Sequence, residues 1–108
     1  MNRTIEETLL SKRESGGKSL VVYLTGGLDE YFEATVEEVS ASGADVIEIG
    51  IPFSDPVMDG PTIQRANDVA LSSGATPVNI LDRLKQIEST TPLAVMTYYN
   101  IAASMGVE

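Results

Sequence analysis

Apolar and polar side chains alternate most regularly between residues 45 and 51 of this 108-residue chain. Successive side chains of a strand point to opposite faces, so one face of this segment carries only isoleucine (Ile47, Ile49, Ile51). We predict a parallel strand here whose isoleucine face is covered by helices. The other face carries Glu48, a carboxylate that is costly to bury unless it is protonated or partnered. That face is expected to line a site, unless the strand lies at a sheet edge with Glu48 in water.

Two more strands and several helices follow from the same kind of pattern. Strands are predicted over residues 20–25 and 93–99, and Met96 and Tyr98 share one face of the later strand. Gly16-Gly17 ends the first helix, and Thr76-Pro77 is a typical helix start. Helical spacing of apolar residues predicts helices over four segments (3–15, 32–43, 63–74, 76–87). A further helix is expected to begin at about residue 106.

The order of these elements predicts the fold class. Strands that alternate with helices indicate βαβ units and a parallel sheet. Three parallel strands leave two open edges, and parallel strands are normally covered on both faces. We therefore interpret residues 1–108 as a single but incomplete α/β domain, whose open edges are expected to recruit further strands or a second copy.

The composition argues against several classes of function. Seven Lys and Arg against 16 Asp and Glu give a net charge of -9, which repels nucleic acids and anionic membrane surfaces. Cysteine and histidine are absent from the sequence, so no metal site is expected and acid-base chemistry must rest on carboxylates. No apolar run is long enough for a membrane span and no signal-peptide pattern is visible, so we interpret the protein as cytoplasmic.

The loop after the second strand adds two more acids, Asp55 and Asp59. Asp59 precedes Gly60, and an Asp-Gly pair usually forms a turn. Asp55 lies between a serine and a proline, which also fits a plain turn. From the residues alone, both aspartates are either turn formers or members of a site with Glu48, whose strand leads into this loop.

Three motifs resemble those of the tryptophan synthase α subunit family. Residues 43–56 (GADVIEIGIPFSDP), continuing through residues 59–66 (DGPTIQRA), are similar to its strand 2 signature. Residues 95–100 (VMTYYN) and 23–27 (YLTGG) are similar to its motifs on strands 3 and 1. The family fold is a (βα)8 TIM barrel. The resemblance therefore implies the N-terminal part of that barrel, with an additional N-terminal helix, two strand-helix units and strand 3.

The resemblance also implies an activity and the residues that perform it. The family is a carbon-carbon lyase of tryptophan biosynthesis that cleaves indole-3-glycerol phosphate to indole and glyceraldehyde 3-phosphate. Glu48 is then the general acid-base that protonates C3 of the indole, and Asp59 accepts a hydrogen bond from N1-H. Tyr23, Met96 and Tyr98 would wall the indole pocket, although such side chains are equally at home in a barrel core.

A partner is implied in the same way. The loop after strand 2 faces the β subunit in this family, so Pro52 and Asp55 are expected to contact a β subunit in an α2β2 tetramer. No cofactor is expected in this chain, because the family's pyridoxal phosphate belongs to the β subunit.

The sequence departs from the family in the strand 1 loop, where Leu28-Asp29 replaces an Asp-Pro pair and the loop is shorter. The family chain is also more than twice as long as this one. Barrels of this kind hold phosphate on the loops after strands 7 and 8, so the isolated 108 residues are expected to be inactive. The alternatives are a non-catalytic module that docks a β-like subunit and another phosphate-substrate barrel with an acid on strand 2.

Overall fold

Three strands and five helices form within residues 4–106, which are the residues that the computed structural model describes. In chain order they are α1 (Ile5–Glu14), β1 (Val21–Thr25), α2 (Phe32–Ala41), β2 (Val46–Gly50), α3 (Pro61–Ser72), α4 (Pro77–Lys85), β3 (Leu93–Met96) and α5 (Tyr99–Ser104). Among these residues, no helix has the length and apolar character needed to cross a membrane.

The strands form one parallel sheet in the order β1-β2-β3, as the element order predicts. Tyr23 of β1 lies level with Glu48 of β2, and Glu48 lies level with Ala94 of β3. Paired residues of neighbouring strands share a face, so these three side chains form one row across the sheet. Because β2 has a partner on each side, the alternative of an edge strand for Glu48 is wrong.

The core lies on the isoleucine face of β2, as predicted. Ile47 and Ile49 are completely buried, together with Val36 of α2 and Ile80 of α4. Full burial of one such side chain contributes about 1.5–3 kcal/mol. Helices thus cover the outer face of the sheet and leave the face that carries Glu48 for other contacts.

Helix α4 begins where the sequence indicates and is joined to α2. The Thr76 hydroxyl accepts a hydrogen bond from the Asn79 backbone N–H, and the Asn79 side chain accepts one from the Thr76 N–H, which forms a capping box. At the other end of α4, Arg83 Nε donates to Glu33 Oε2 of α2 at 2.8 Å. The hydrogen bond from Arg83 holds the pKa of Glu33 below its usual range. Arg83 Nη2 also donates to the Asp29 carbonyl at 2.9 Å, which ties the β1–α2 loop to α4.

The prediction of a third strand over residues 93–99 is wrong at its end. β3 stops at Met96, and α5 begins at Tyr99 rather than near residue 106. The last ladder bond runs from the Ile51 N–H to the Met96 carbonyl at 2.9 Å. Beyond this bond the backbone turns at Tyr98, the residue just before α5, so the aromatic residues after Met96 leave the sheet despite their preference for strands.

Helix α1 forms as predicted, but none of its residues is buried. A salt bridge joins it to the start of β2, where Lys12 Nζ lies 3.3 Å from Asp45 Oδ1. Asp45 Oδ2 also accepts a hydrogen bond from the Leu20 N–H at 2.7 Å. The predicted beginning of this helix at residue 3 lies outside the described residues, as do Val107 and Glu108.

Candidate functional site

Glu48 lies at the centre of the inner face of β2. Its neighbours along the strand, Ile47 and Ile49, are completely buried, whereas Glu48 itself is only partly buried. The predicted cost of a buried carboxylate is thus avoided, because the inner face remains open to water. The carboxylate is accessible to a small molecule that approaches this face of the sheet.

The loop after β2 is folded by short-range hydrogen bonds that fix the position of Asp59. The Asp59 N–H donates to the Pro56 carbonyl at 3.1 Å, which closes a turn. Gln64, in the first turn of α3, donates its side-chain amide to the Asp59 carbonyl at 2.7 Å. Asp59 is therefore a turn residue, as its Asp-Gly sequence indicates, and it also presents its carboxylate to the neighbouring elements.

Tyr98, which lies between β3 and α5, contacts this loop through its side chain. Its hydroxyl accepts a hydrogen bond from the Met58 N–H at 3.0 Å and donates one to Asp59 Oδ2 at 3.3 Å. Its ring lies against that of Phe53, with centroids 5.0 Å apart and planes inclined by 35°. Tyr98 was expected on the inner face of a strand; it lies just before α5 instead, and still reaches the acidic loop.

Tyr23 of β1 lies next to Glu48 in the row of side chains across the inner face of the sheet. A Cβ at Gly50 would lie 1.9 Å from the Tyr23 hydroxyl, so the phenol rests directly on the backbone of β2. Burial raises the pKa of Tyr23, and the nearby carboxylates of Asp59 and Glu48 raise it further, against a lowering by the Thr25 hydroxyl. Both carboxylates that the sequence singles out thus act electrostatically on the Tyr23 phenol, and Asp59 is hydrogen-bonded to Tyr98.

The other predicted residues fall into two groups. Met96 lies level with Gly50 on the Glu48 face and is 51% exposed, as a residue that walls an open slot would be. Asp55 is exposed on the loop and accessible to a partner, whereas Pro52 is buried. A direct partner contact therefore suits Asp55, and Pro52 could act only through the shape of the loop.

Sequence reasoning missed two residues that organise the loop, Gln64 and Phe53. Gln64 follows the Asp-Gly-Pro turn at the start of α3, which is the one sequence signal that places its amide near the loop backbone. Phe53 is an aromatic residue in an otherwise acidic and proline-rich loop. Within residues 4–106, no group of three or more acidic side chains lies close enough to hold a metal ion.

An apolar cavity of about 230 Å³ lies elsewhere, on the outer face of the sheet. Ile51, Val95 and Thr97 line it from the sheet side, and apolar side chains of α4 and α5 flank it. It is lined by no carboxylate and lies on the face opposite Glu48, so it is separate from the candidate site.

Comparisons with known proteins agree with this geometry. The sequence profile of the tryptophan synthase alpha chain family matches residues 9–108. The alpha chain of Burkholderia cenocepacia is 43% identical over 114 aligned positions, which include the whole of this chain and 41% of the relative. The alpha chain of Petrotoga mobilis is 42% identical over 104 positions, which include 92% of this chain and 40% of the relative.

Solved structures show the same relationship in three dimensions. The alpha subunit of Legionella pneumophila superposes with a TM-score of 0.88 at 38% identity, over 98% of this chain and 42% of its own. A tryptophan synthase chain from M. tuberculosis gives a TM-score of 0.87 at 34% identity, over 98% and 44%. The chain thus spans about two-fifths of the length of the curated relatives it matches. The predicted partial (βα)8 barrel is confirmed, and the chain belongs to the tryptophan synthase alpha chain family, of which it represents the N-terminal portion.

Proposed function

We propose that residues 1–108 supply the acid-base part of an alpha chain active site that cleaves indole-3-glycerol phosphate to indole and glyceraldehyde 3-phosphate. The observation that carries the proposal is the placement of Glu48 on the inner face of the central strand, which leads into the loop where Asp59 Oδ2 accepts a hydrogen bond from Tyr98. Barrel enzymes build their sites at the carboxyl ends of the strands, where β2 leads into the Asp59 loop.

In this mechanism each carboxylate has a separate task. Glu48 donates a proton to C3 of the indole ring, and the carboxylate of Asp59 stabilises the positive charge that develops at N1. The Glu48 carboxylate, now deprotonated, accepts the proton of the neighbouring glycerol hydroxyl as the aldehyde carbonyl forms, and the electrons of the broken carbon-carbon bond return to the indole ring. The products are then indole and glyceraldehyde 3-phosphate.

An aromatic and a thioether side chain on the inner face of the sheet, Tyr23 and Met96, supply walls for a flat ring. Tyr98, the third residue expected there, lies beside the loop just before α5. Such a slot suits an indole, which gains affinity by burial between apolar surfaces. The proposed reaction is proton transfer and bond cleavage, so it calls for no cofactor in this chain.

Phosphate binding is the part of the proposed activity that we do not assign to residues 1–108. Barrels of this type bind phosphate on the loops after strands 7 and 8, whereas the described part of this chain contains β1 to β3. We therefore propose that residues 1–108 do not cleave the substrate by themselves, and that the lyase activity belongs to a barrel completed by further strands.

A partner is proposed for the loop after β2. Asp55, Val57 and Met58 are exposed there, with Val57 at 70% and Met58 at 85%. Adjacent exposed apolar side chains rimmed by polar residues mark a protein interaction site. The related M. tuberculosis structures are of a tryptophan synthase. The partner that we propose for this chain is a β subunit that carries pyridoxal phosphate.

The test uses a completed alpha chain, in which residues 1–108 are joined to the remainder of the Legionella pneumophila alpha chain. Circular dichroism first establishes the folded fraction, and indole release is then measured per folded protein. We expect Glu48→Gln to lower the rate by roughly 10² to 10⁴, with little change in the dissociation constant for substrate, because the amide cannot transfer the proton.

The matched control is Glu38→Gln, which makes the same change at an exposed position of α2. This variant is expected to keep the full rate. A folded completed chain that releases no indole would favour the non-catalytic alternative, and an unaltered rate in Glu48→Gln would contradict the assignment of Glu48.

A further inference from the structure

One hydroxyl group holds two consecutive residues of the acidic loop. Tyr98 Oη accepts from the Met58 N–H at 3.0 Å and donates to Asp59 Oδ2 at 3.3 Å. A phenol has one proton to donate and lone pairs to accept, so both bonds can exist together. The hydroxyl therefore fixes a backbone position and a carboxylate orientation with a single atom.

The ring of Tyr98 is held independently of its hydroxyl. Its centroid lies 5.0 Å from that of Phe53, at the beginning of the same loop. Tilted aromatic pairs at this separation gain stabilisation in addition to that from the apolar surface they bury. Removal of the hydroxyl alone is thus expected to leave the ring in place.

The loop backbone has a second attachment that does not involve Tyr98. Gln64 Nε2 donates to the Asp59 carbonyl at 2.7 Å and to the Pro56 carbonyl at 3.4 Å. These bonds hold the main chain of the turn and leave the Asp59 side chain able to rotate. The contact with Tyr98 uses Oδ2 of that side chain, and no residue in the range 4–106 hydrogen-bonds to Oδ1.

We propose that Tyr98 is a positioning residue that acts through Asp59. Its hydroxyl orients the Asp59 carboxylate so that Oδ1 points to the substrate N–H, and it fastens the loop through Met58. This inference rests on the proposed function, because it assigns Asp59 the task of stabilising charge at N1. It differs from a role of Tyr98 as a pocket wall, which would require direct contact between Tyr98 and the substrate.

The decisive experiment is a double-mutant comparison in the completed alpha chain. Tyr98→Phe is expected to lower kcat roughly tenfold with little change in KM, since one hydrogen bond to a charged group is lost. Added to Asp59→Asn, the same substitution is expected to cause no further loss, because its only route to the substrate is already removed. Losses that multiply would show that Tyr98 acts on the substrate directly and would overturn the proposal.

A second measurement does not depend on activity. The Met58 amide proton is expected to exchange with solvent faster in Tyr98→Phe, because its acceptor is gone. Tyr99→Phe is the matched control, since Tyr99 is 76% exposed and adjacent in sequence. An unchanged exchange rate at Met58 would overturn the attachment. Faster exchange in a completed chain that never releases indole would instead confirm the attachment while contradicting the proposed function.

Discussion

Gly50 has no side chain at the point where the Tyr23 phenol crosses from β1 onto β2. An added Cβ would lie 1.9 Å from the phenol oxygen and 2.5 Å from the carbon that bears it. We expect Gly50→Ala to destabilise the completed alpha chain by about 1–3 kcal/mol, the usual cost of an extra carbon in a packed site. Urea unfolding measures the change, and combination with Tyr23→Val should recover part of it by vacating the space.

The control for this prediction is Gly60→Ser. A Cβ at Gly60 meets no atom within 4 Å, and serine is favourable at the beginning of a helix such as α3. Its stability is expected to be close to that of the unmodified chain. Equal stability of Gly50→Ala and Gly60→Ser would show that Tyr23 moves aside without cost and would contradict the close packing.

Single residues differ in how far sequence alone could place them. Glu48 could be placed on the inner face because its strand alternates clearly, and the register confirms this face. The contact between Tyr98 and Asp59 could not be predicted, because the two residues lie 39 positions apart in irregular segments. No periodic pattern relates such segments, and their meeting depends on where two neighbouring strands end.

The loop after β2 is the element in which the proposed partner contact can be tested. We expect Asp55→Ala to weaken activation by an added β subunit more than it lowers the basal rate of the completed alpha chain, because Asp55 is exposed and lies outside the row of site residues. Titration of β subunit into each variant, with indole release as the readout, measures this difference.

Pro52 provides a contrast within the same loop. It is buried, so Pro52→Leu is expected to disturb both the basal rate and the activation by changing the shape of the loop. If Asp55→Ala left the activation curve unchanged, Asp55 would be a turn residue and not a partner contact.

The sequence predicts the boundary of a helix or strand well where local residues set it, and poorly where pairing with another strand sets it. The start of α4 follows from Thr76 and Pro77, whose capping and fixed φ act within one turn. The end of β3 depends instead on pairing with its neighbour: the ladder with β2 ends at the bond from the Ile51 N–H to the Met96 carbonyl, and the chain turns at Tyr98 into α5. Such a boundary is set by contacts with another strand and cannot be read from the segment itself.

At the scale of the whole molecule, three parallel strands leave β1 and β3 with one partner each within residues 4–106. Apolar side chains on these strands remain about half exposed, with Val21 at 45%, Val95 at 47% and Met96 at 51%. The element order predicts the parallel sheet. How exposed these side chains remain depends on what packs against each edge, which the sequence of the three strands does not show. A net charge of -9 opposes association of identical copies, and salt weakens this repulsion.

We therefore expect residues 1–108 alone to associate in solution, more strongly at high salt than at low salt, because unpaired parallel edges with apolar faces recruit further strands. Light scattering measures the mass against 11.5 kDa for one chain. Val21→Lys places a charge on the open edge of β1 and should reduce the association, whereas the completed alpha chain should remain monodisperse because its edges are paired. A monomer of 11.5 kDa at every salt concentration would contradict the prediction. If that monomer also released indole, three strands would suffice for a stable fold and for the phosphate site.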